Sequence, residues 1–166
     1  KSAEQGYSEA QYHVGKMCYY GDGTEKNDSL AYVWYKKSAA QGHAIAQYYL
    51  GYMYYNGNWI PQNDSLAFKW FEKSAEQDYD AAQYELGYMY YYGIGTAVER
   101  TKAYDCFEKS AEQGYDKAQY FAGYMCYYGI GTEENDSLAF KWFMRSAEQD
   151  YSAAQYYVGY MYYYGD

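Results

Sequence analysis

The sequence predicts an all-α solenoid, because one segment recurs with a constant period of 36 residues. Lys-Ser-Ala-Glu-Gln opens the chain at Lys1 and returns, with small changes, at Lys37, Lys73, Lys109 and Arg145. Apolar residues at helical spacing inside a period of this length are typical of stacked helix–loop–helix units. We therefore expect one array over residues 1–166, with uncapped ends, full repeats at 1–36, 37–72, 73–108 and 109–144, and a partial repeat at 145–166.

The first helix of each unit, helix A, is predicted from a single apolar face. In the first copy, Ala10, Val14, Met17 and Cys18 follow the i, i+4, i+7, i+8 spacing of such a face. A glycine interrupts every copy of this helix, and since it costs about 1 kcal/mol there, we expect a neighbouring helix to approach closely. A second glycine ends the helix as a left-handed cap. The interrupting glycines are Gly15, Gly51, Gly87, Gly123 and Gly159, and the terminal ones are Gly21, Gly57, Gly93, Gly129 and Gly165.

The second helix, helix B, is predicted after a loop that ends in Asn-Asp-Ser-Leu-Ala in three copies. The Asn and Asp side chains can accept hydrogen bonds from the free amides of the first helical turn. The third copy has Glu99-Arg100-Thr101 instead, so its helix B is expected to begin less sharply. Asn-Asp-Ser is also an acceptor for N-linked glycans, and both interpretations stand for Asn27, Asn63 and Asn135.

These features resemble the Sel1-like repeat family over the whole chain. The third copy carries its pattern in Ala82, Leu86, Gly87, Met89, Tyr90, Gly93 and Gly95, and the fourth adds Gly129, Gly131, Asp136, Ala139 and Trp142. The resemblance implies a right-handed α/α superhelix of antiparallel helix pairs with helix A on the concave face. It also implies the roles known in the family: adaptors of membrane-linked quality control, bacterial host-interaction factors and regulators of exopolysaccharide.

Tyrosine supplies 30 of the 166 residues, and 18 of them fall at the twelfth, sixteenth, nineteenth and twentieth positions of the repeats, which we call the tyrosine stripe. On a concave face, tyrosine rings would offer large contact areas and hydroxyls to an extended ligand. The alternative is that the rings fill space between stacked repeats. Trp59 replaces a loop glycine and is either a contact point or packs over its own repeat. The candidate ligand-binding residues are Tyr48, Tyr52, Tyr55, Tyr84, Tyr88, Tyr91, Tyr92, Tyr120, Tyr124, Tyr127, Tyr128 and Trp59.

The sequence carries few signs of other chemistry. Cys18 and Cys126 stand where other copies have tyrosine, and Cys106 where they have tryptophan, so we expect buried free thiols, with a Cys106–Cys126 bridge as the alternative. His13 and His43 are the only histidines, and no metal-ligand spacing, nucleophile motif or phosphate loop occurs. We therefore predict no metal, no cofactor and no enzyme activity.

The predicted function is a non-catalytic scaffold that binds a protein, a peptide or, alternatively, a glycan through a tyrosine-rich concave face. The net charge of −9 disfavours nucleic acid as a partner, and no apolar stretch is long enough to span a membrane. The alternative function is a structural subunit, N-glycosylated or not, that stacks head to tail into a fibre or surface layer, because the ends lack capping repeats. The sequence leaves the compartment open among secreted, lumenal and cytoplasmic locations.

Overall fold

A computed structural model describes residues 3–57 and 59–165, and all regular secondary structure within them is α-helical. Helix A of successive repeats is α1 (Ser8–Tyr20), α3 (Ala44–Asn56), α5 (Asp80–Tyr92), α7 (Asp116–Tyr128) and α9 (Ser152–Tyr164). Helix B is α2 (Asp28–Ala40), α4 (Asp64–Ala75), α6 (Arg100–Glu112) and α8 (Asp136–Ala147). The predicted class of all-α helix–loop–helix repeats is confirmed. Lys1 and Asp166, which limit the predicted array, and Asn58 beside Trp59 lie outside the described residues.

The chain divides into two compact units, Lys1–Ala82 and Gln83–Asp166. In the first unit, α2 packs against both α1 and α3, and Tyr35 and Leu50 are fully buried between them. In the second unit, α7 packs against both α6 and α8, and its core includes Phe107, Met125 and Phe143. Each helix is only 12 or 13 residues long, so packing against its neighbours supplies the stability that a short helix lacks in water.

The glycines that interrupt helix A allow helix B to lie against it. On four of the five, a Cβ atom would lie between 2.7 and 3.0 Å from an aromatic ring of helix B, which is closer than side chains pack, whereas Gly159 has nothing within 4 Å. The expected close approach is thereby confirmed. The pairs are Gly15 with Tyr35 and Gly51 with Phe71 in the first unit, and Gly87 with Phe107 and Gly123 with Phe143 in the second.

Glutamine and serine side chains join helix A both to its own helix B and to the helix B before it. In the first unit, the Gln77 Nε2 atom donates to the Gln47 Oε1 atom at 2.7 Å, and Gln47 in turn donates to the carbonyl of Ala39 at 3.2 Å. The Ser74 hydroxyl donates to the carbonyl of Ala44 at 2.8 Å. In the second unit, Gln149 and Gln119 form the same bond at 2.8 Å. The polar side chains of the recurrent Ser-Ala-x-Gln segment are therefore satisfied inside the helix packing.

The helix ends follow the predicted capping. The Oδ1 atoms of Asn27, Asn63 and Asn135 each accept a hydrogen bond of 2.9 Å from the backbone N–H three residues on. Glu99 makes no side-chain cap at the start of α6, although that helix begins in the same register as its counterparts. The loss of a cap therefore removes one hydrogen bond without shifting the helix start.

All three cysteines are free thiols, as expected from their positions. Cys18 and Cys126 are buried, whereas Cys106 is half-buried. Burial raises the pKa of Cys106 to about 11, so its reactive thiolate is scarce at neutral pH.

Glu85 is an exception in the packing pattern. The residue at its position in other repeats stacks on the helix B ring of the preceding repeat, as Phe121 does on Phe107 at 4.8 Å and Tyr157 on Phe143 at 4.7 Å between ring centroids. Glu85 has no ring and is half-buried. Burial raises the pKa of its carboxyl to about 7, although the charge of Lys117 opposes the shift.

Gly123 and Gly159 provide a matched test of the close approach in the 166-residue chain. We expect Gly123→Ala to lower the free energy of unfolding by about 1–2 kcal/mol, because the strain of a methyl group against the buried Phe143 ring exceeds the gain in helix propensity. Gly159→Ala should be neutral or stabilising, since no atom lies within 4 Å of its Cβ position. Thermal unfolding followed by circular dichroism measures both. Equal destabilisation by the two variants would contradict the contact explanation.

The raised pKa of the Glu85 carboxyl predicts that the free energy of unfolding depends on pH. Because the pKa of its carboxyl is raised in the folded state, the protonated form stabilises the fold fully below pH 4.5, and that contribution is lost as the pH rises to about 7. We expect Glu85→Gln to raise the free energy of unfolding at pH 8 by on the order of 2–3 kcal/mol relative to the parent and to flatten its pH dependence in this window. Urea unfolding from pH 4 to pH 8 checks this. Parallel pH profiles for the two proteins would refute it.

Candidate functional site

The tyrosine stripe separates into an inner row and an outer row. The inner row is the twelfth position of the repeats, where the rings of the second, third and fourth copies pack against helix B, whereas Tyr156 in the last copy is exposed. Tyr48 lies 5.7 Å from Phe71, and Tyr120 lies 5.9 Å from Phe143, between ring centroids. Tyr84 is only 9% exposed. These rings serve mainly to pack helix A against helix B, which was the alternative interpretation of the stripe.

The outer row is formed by the sixteenth, nineteenth and twentieth positions of the repeats. Tyr92 is 51% exposed and Tyr128 is 48% exposed. The ring of Tyr88 lies 4.5 Å from that of Tyr92, and Tyr124 lies 4.7 Å from Tyr128, so the exposed rings are supported by half-buried ones. The described candidates in this row are Tyr52, Tyr55, Tyr88, Tyr91, Tyr92, Tyr124, Tyr127 and Tyr128.

A third set of aromatic residues, at the thirteenth position, organises the stripe and is absent from the sequence-based candidates. Phe121 contacts Tyr88 and Tyr91 of the preceding helix A at 6.1 Å, and Tyr157 contacts Tyr124 and Tyr127 at the same distance. The sequence conceals this role because the position varies among histidine, tyrosine, glutamate and phenylalanine. This residue directly follows the inner-row residue in every repeat, and that constant position is the signal that could have identified it.

The second unit contains a cleft of about 200 Å³ in the stripe, between α5 and α7. It brings together Tyr91 and Tyr92 at the end of α5 with Tyr120, Phe121 and Tyr124 on α7. The rings form a continuous wall, in which Tyr91 lies 6.1 Å from Phe121, and Phe121 lies 5.4 Å from Tyr120. The cleft therefore joins four of the sequence-predicted residues to one that was not predicted.

Trp59, in the loop after α3, is both exposed and packed. Its side chain is 48% exposed, and its ring centroid lies 5.7 Å from that of Tyr32 on α2. It also borders a small crevice with Tyr19 and Tyr52. Trp59 thus rests on the helix B of the preceding repeat while it still offers about half of its surface.

The hydroxyls of Tyr88 and Tyr91 stay protonated at physiological pH. Burial raises the pKa of Tyr88, and it raises that of Tyr91 despite the opposing charge of Arg100. Arg100 lies over the ring of Tyr91, with its guanidinium carbon 4.1 Å from the ring centroid, and donates a hydrogen bond to the Tyr91 backbone carbonyl. The stripe can therefore offer hydroxyl donors, acceptors and ring faces.

Other kinds of site find little support in residues 3–57 and 59–165. No group of three or more His, Cys, Asp and Glu side chains there is arranged to hold a metal ion. None of the helices described is both long and apolar enough to cross a membrane.

Two solved structures combine high structural similarity with 34% sequence identity. One is c5321, a protective antigen of uropathogenic Escherichia coli with an SLR fold (TM-score 0.94, covering 99% of this chain and 35% of that one). The other is a Sel1 repeat protein from Oxalobacter formigenes (TM-score 0.87, covering 95% of this chain and 65% of that one). Cysteine-rich protein B of Helicobacter pylori, at 22% identity and a TM-score of 0.58, covers 70% of this chain and 90% of its own and shares the fold alone. The chain thus spans about one third of the length of the Escherichia coli protein and just under two thirds of the length of the Oxalobacter formigenes protein.

A comparison with curated protein sequences returned no match. The sequence model of the Sel1 repeat matches residues 8–43, 44–79, 80–115, 116–151 and 152–166. These repeats begin at helix A, seven residues after the bounds that we set from the sequence, and share their period of 36. The chain therefore belongs to the Sel1 repeat family.

Proposed function

We propose that this chain is a non-catalytic scaffold that binds an extended segment of a partner protein along the outer row of its tyrosine stripe. Sel1 repeat proteins are in general scaffolds for protein–protein interaction without catalytic activity. The observation that carries the proposal is that exposed tyrosines recur at one helical position, as Tyr92 and Tyr128 do, on a support of packed rings.

The chemistry of these rings suits a peptide backbone. Tyrosine supplies a large contact area with few rotatable bonds, and its hydroxyl can pair with the amides and carbonyls of an extended chain. Because the outer rings are already held by their neighbours, little side-chain entropy is lost on binding. Trp59 extends the same type of surface in the first unit, where it rests on Tyr32.

Peptides selected from a random display library against the 166-residue chain test the proposal. We expect the double variant Tyr92→Ala and Tyr128→Ala to weaken the selected peptides at least tenfold, because aromatic anchors dominate such interfaces. Tyr162→Ala is the matched control, since Tyr162 is 71% exposed on α9 but lies outside the stripe. Calorimetric titration gives the affinities. Equal affinities for the parent and the double variant would remove the outer row from the site.

A second candidate function is head-to-tail assembly of copies of the 166-residue chain through the surface of α9. Gly159 has open space where its counterparts meet a helix B ring, and Tyr156 and Tyr163 are exposed. A second copy could cover this face. The predicted glycans on Asn27, Asn63 and Asn135 belong to this proposal, and their caps engage the Oδ1 atom rather than the amide nitrogen that a glycan would modify.

Light scattering of the 166-residue chain tests the assembly. We expect mass to increase with concentration and Gly159→Trp to suppress the increase, because an indole there would block a helix that approaches the glycine. A monomer up to millimolar concentration would exclude assembly. Mass spectrometry of the protein from a secreting eukaryotic host checks the glycans, and unmodified asparagines would leave them as helix caps only.

A further inference from the structure

The cleft between α5 and α7 lacks a hydrogen bond that bridges two equivalent gaps. The hydroxyls of Tyr20 and Tyr49 lie 3.2 Å apart in the first unit, and those of Tyr128 and Tyr157 lie 3.3 Å apart in the second. Each bond joins the twentieth position of one repeat to the thirteenth position of the next. At the cleft, the corresponding residues are Tyr92 and Phe121.

Phe121 lacks the hydroxyl that would form this bridge, although its ring occupies the usual place. It stacks on Phe107 at 4.8 Å with an interplanar angle of 16°, as Tyr157 stacks on Phe143 at 4.7 Å and 15°. The hydroxyl of Tyr92 therefore has no hydroxyl opposite it. Phenylalanine in place of tyrosine thus leaves this gap without the bridge found at the other two.

The dimensions of the cleft suit a single side chain. Its volume of about 200 Å³ is below the roughly 300–1,000 Å³ of sites for drug-sized ligands. Its walls are rings and hydroxyls, and the one charged group placed on a lining ring is the Arg100 guanidinium over Tyr91, among the described residues. A side chain that enters it would meet several ring faces at once.

Charge favours a cationic occupant. Ring faces attract cations, and the chain carries a net charge of −9. In the described residues, seven lysine or arginine side chains already lie over aromatic rings, where about two would be usual for this length. In the same part of the chain, none of them lies over Tyr92, Tyr120, Phe121 or Tyr124, so these rings are available.

We propose that the cleft binds one lysine or arginine side chain of a bound protein segment, with its charged group against the rings of Tyr92, Phe121 and Tyr124. This assignment rests on the proposed scaffold function and specifies the chemistry of its ligand. It also identifies Phe121 as the residue that makes the cleft accessible.

Two short peptides serve as probes: acetyl-Gly-Ser-Lys-Ser-Gly-amide and its neutral analogue with norleucine in place of lysine. We expect the lysine peptide to bind the 166-residue chain about fivefold more tightly, as shifts of aromatic resonances in a nuclear magnetic resonance titration would show. Phe121→Tyr should abolish this preference, because the new hydroxyl can bond to Tyr92 and close the cleft. Tyr157→Phe is the reciprocal variant and should add a second site of similar affinity by opening the gap beside Tyr128.

Equal binding of the two peptides would overturn the cationic assignment, and an unchanged preference in Phe121→Tyr would place the cation elsewhere. If Phe121→Tyr does not fold, Tyr92→Leu replaces it, since this exposed ring can be removed without disturbing the buried packing, and it should reduce the preference. The scaffold function is tested separately: it is refuted if the affinities of the display-library peptides are unchanged by Tyr92→Ala and Tyr128→Ala. A neutral oligosaccharide that displaced the lysine peptide completely would also refute the assignment.

Discussion

The contact between a helix A glycine and a helix B aromatic ring determines how each repeat is built. Gly51 against Phe71 and Gly123 against Phe143 show that the helices come so close that no side chain fits between them. Since both partners recur every 36 residues, each helix A–helix B pair reproduces the same packing. The buried ring also supports the inner row of tyrosines, as Phe143 supports Tyr120. The exposed surface thus depends on a contact in the interior.

Comparison among copies allowed much of the fold to be predicted from one sequence. A glycine that persists inside a helix indicated a close approach, and the persistent Asn before helix B indicated a cap, because each has a single local physical cause. The roles of Gln47 and Gln77 were not predicted, although both recur in phase. Their hydrogen bond depends on where helix A meets the end of the helix B that follows it, and that distance is not encoded in the spacing of either helix.

The candidate site was predicted less completely than the fold. The periodicity located the tyrosines on helix A, but it did not separate the packed Tyr84 from the exposed Tyr92, which differ in depth and not in residue type. The cleft depends on Phe121, whose importance is visible only when its missing hydroxyl is compared with the bridge between Tyr128 and Tyr157. The conservative difference between phenylalanine and tyrosine at this position therefore affects the exposed surface more than the features that all repeats share.

The glutamine hydrogen bonds have a consequence for how such a chain can change in length during evolution. Each bond, as between Gln47 and Gln77 or Gln119 and Gln149, joins residues 30 positions apart, one on helix A and one at the end of the helix B that follows it. Duplication or deletion of a complete repeat by recombination recreates the same pairing at the new junction. An insertion of one residue within a helix instead rotates one glutamine away from its partner and leaves buried amides unpaired. The bonds therefore favour descendants that gain or lose whole repeats.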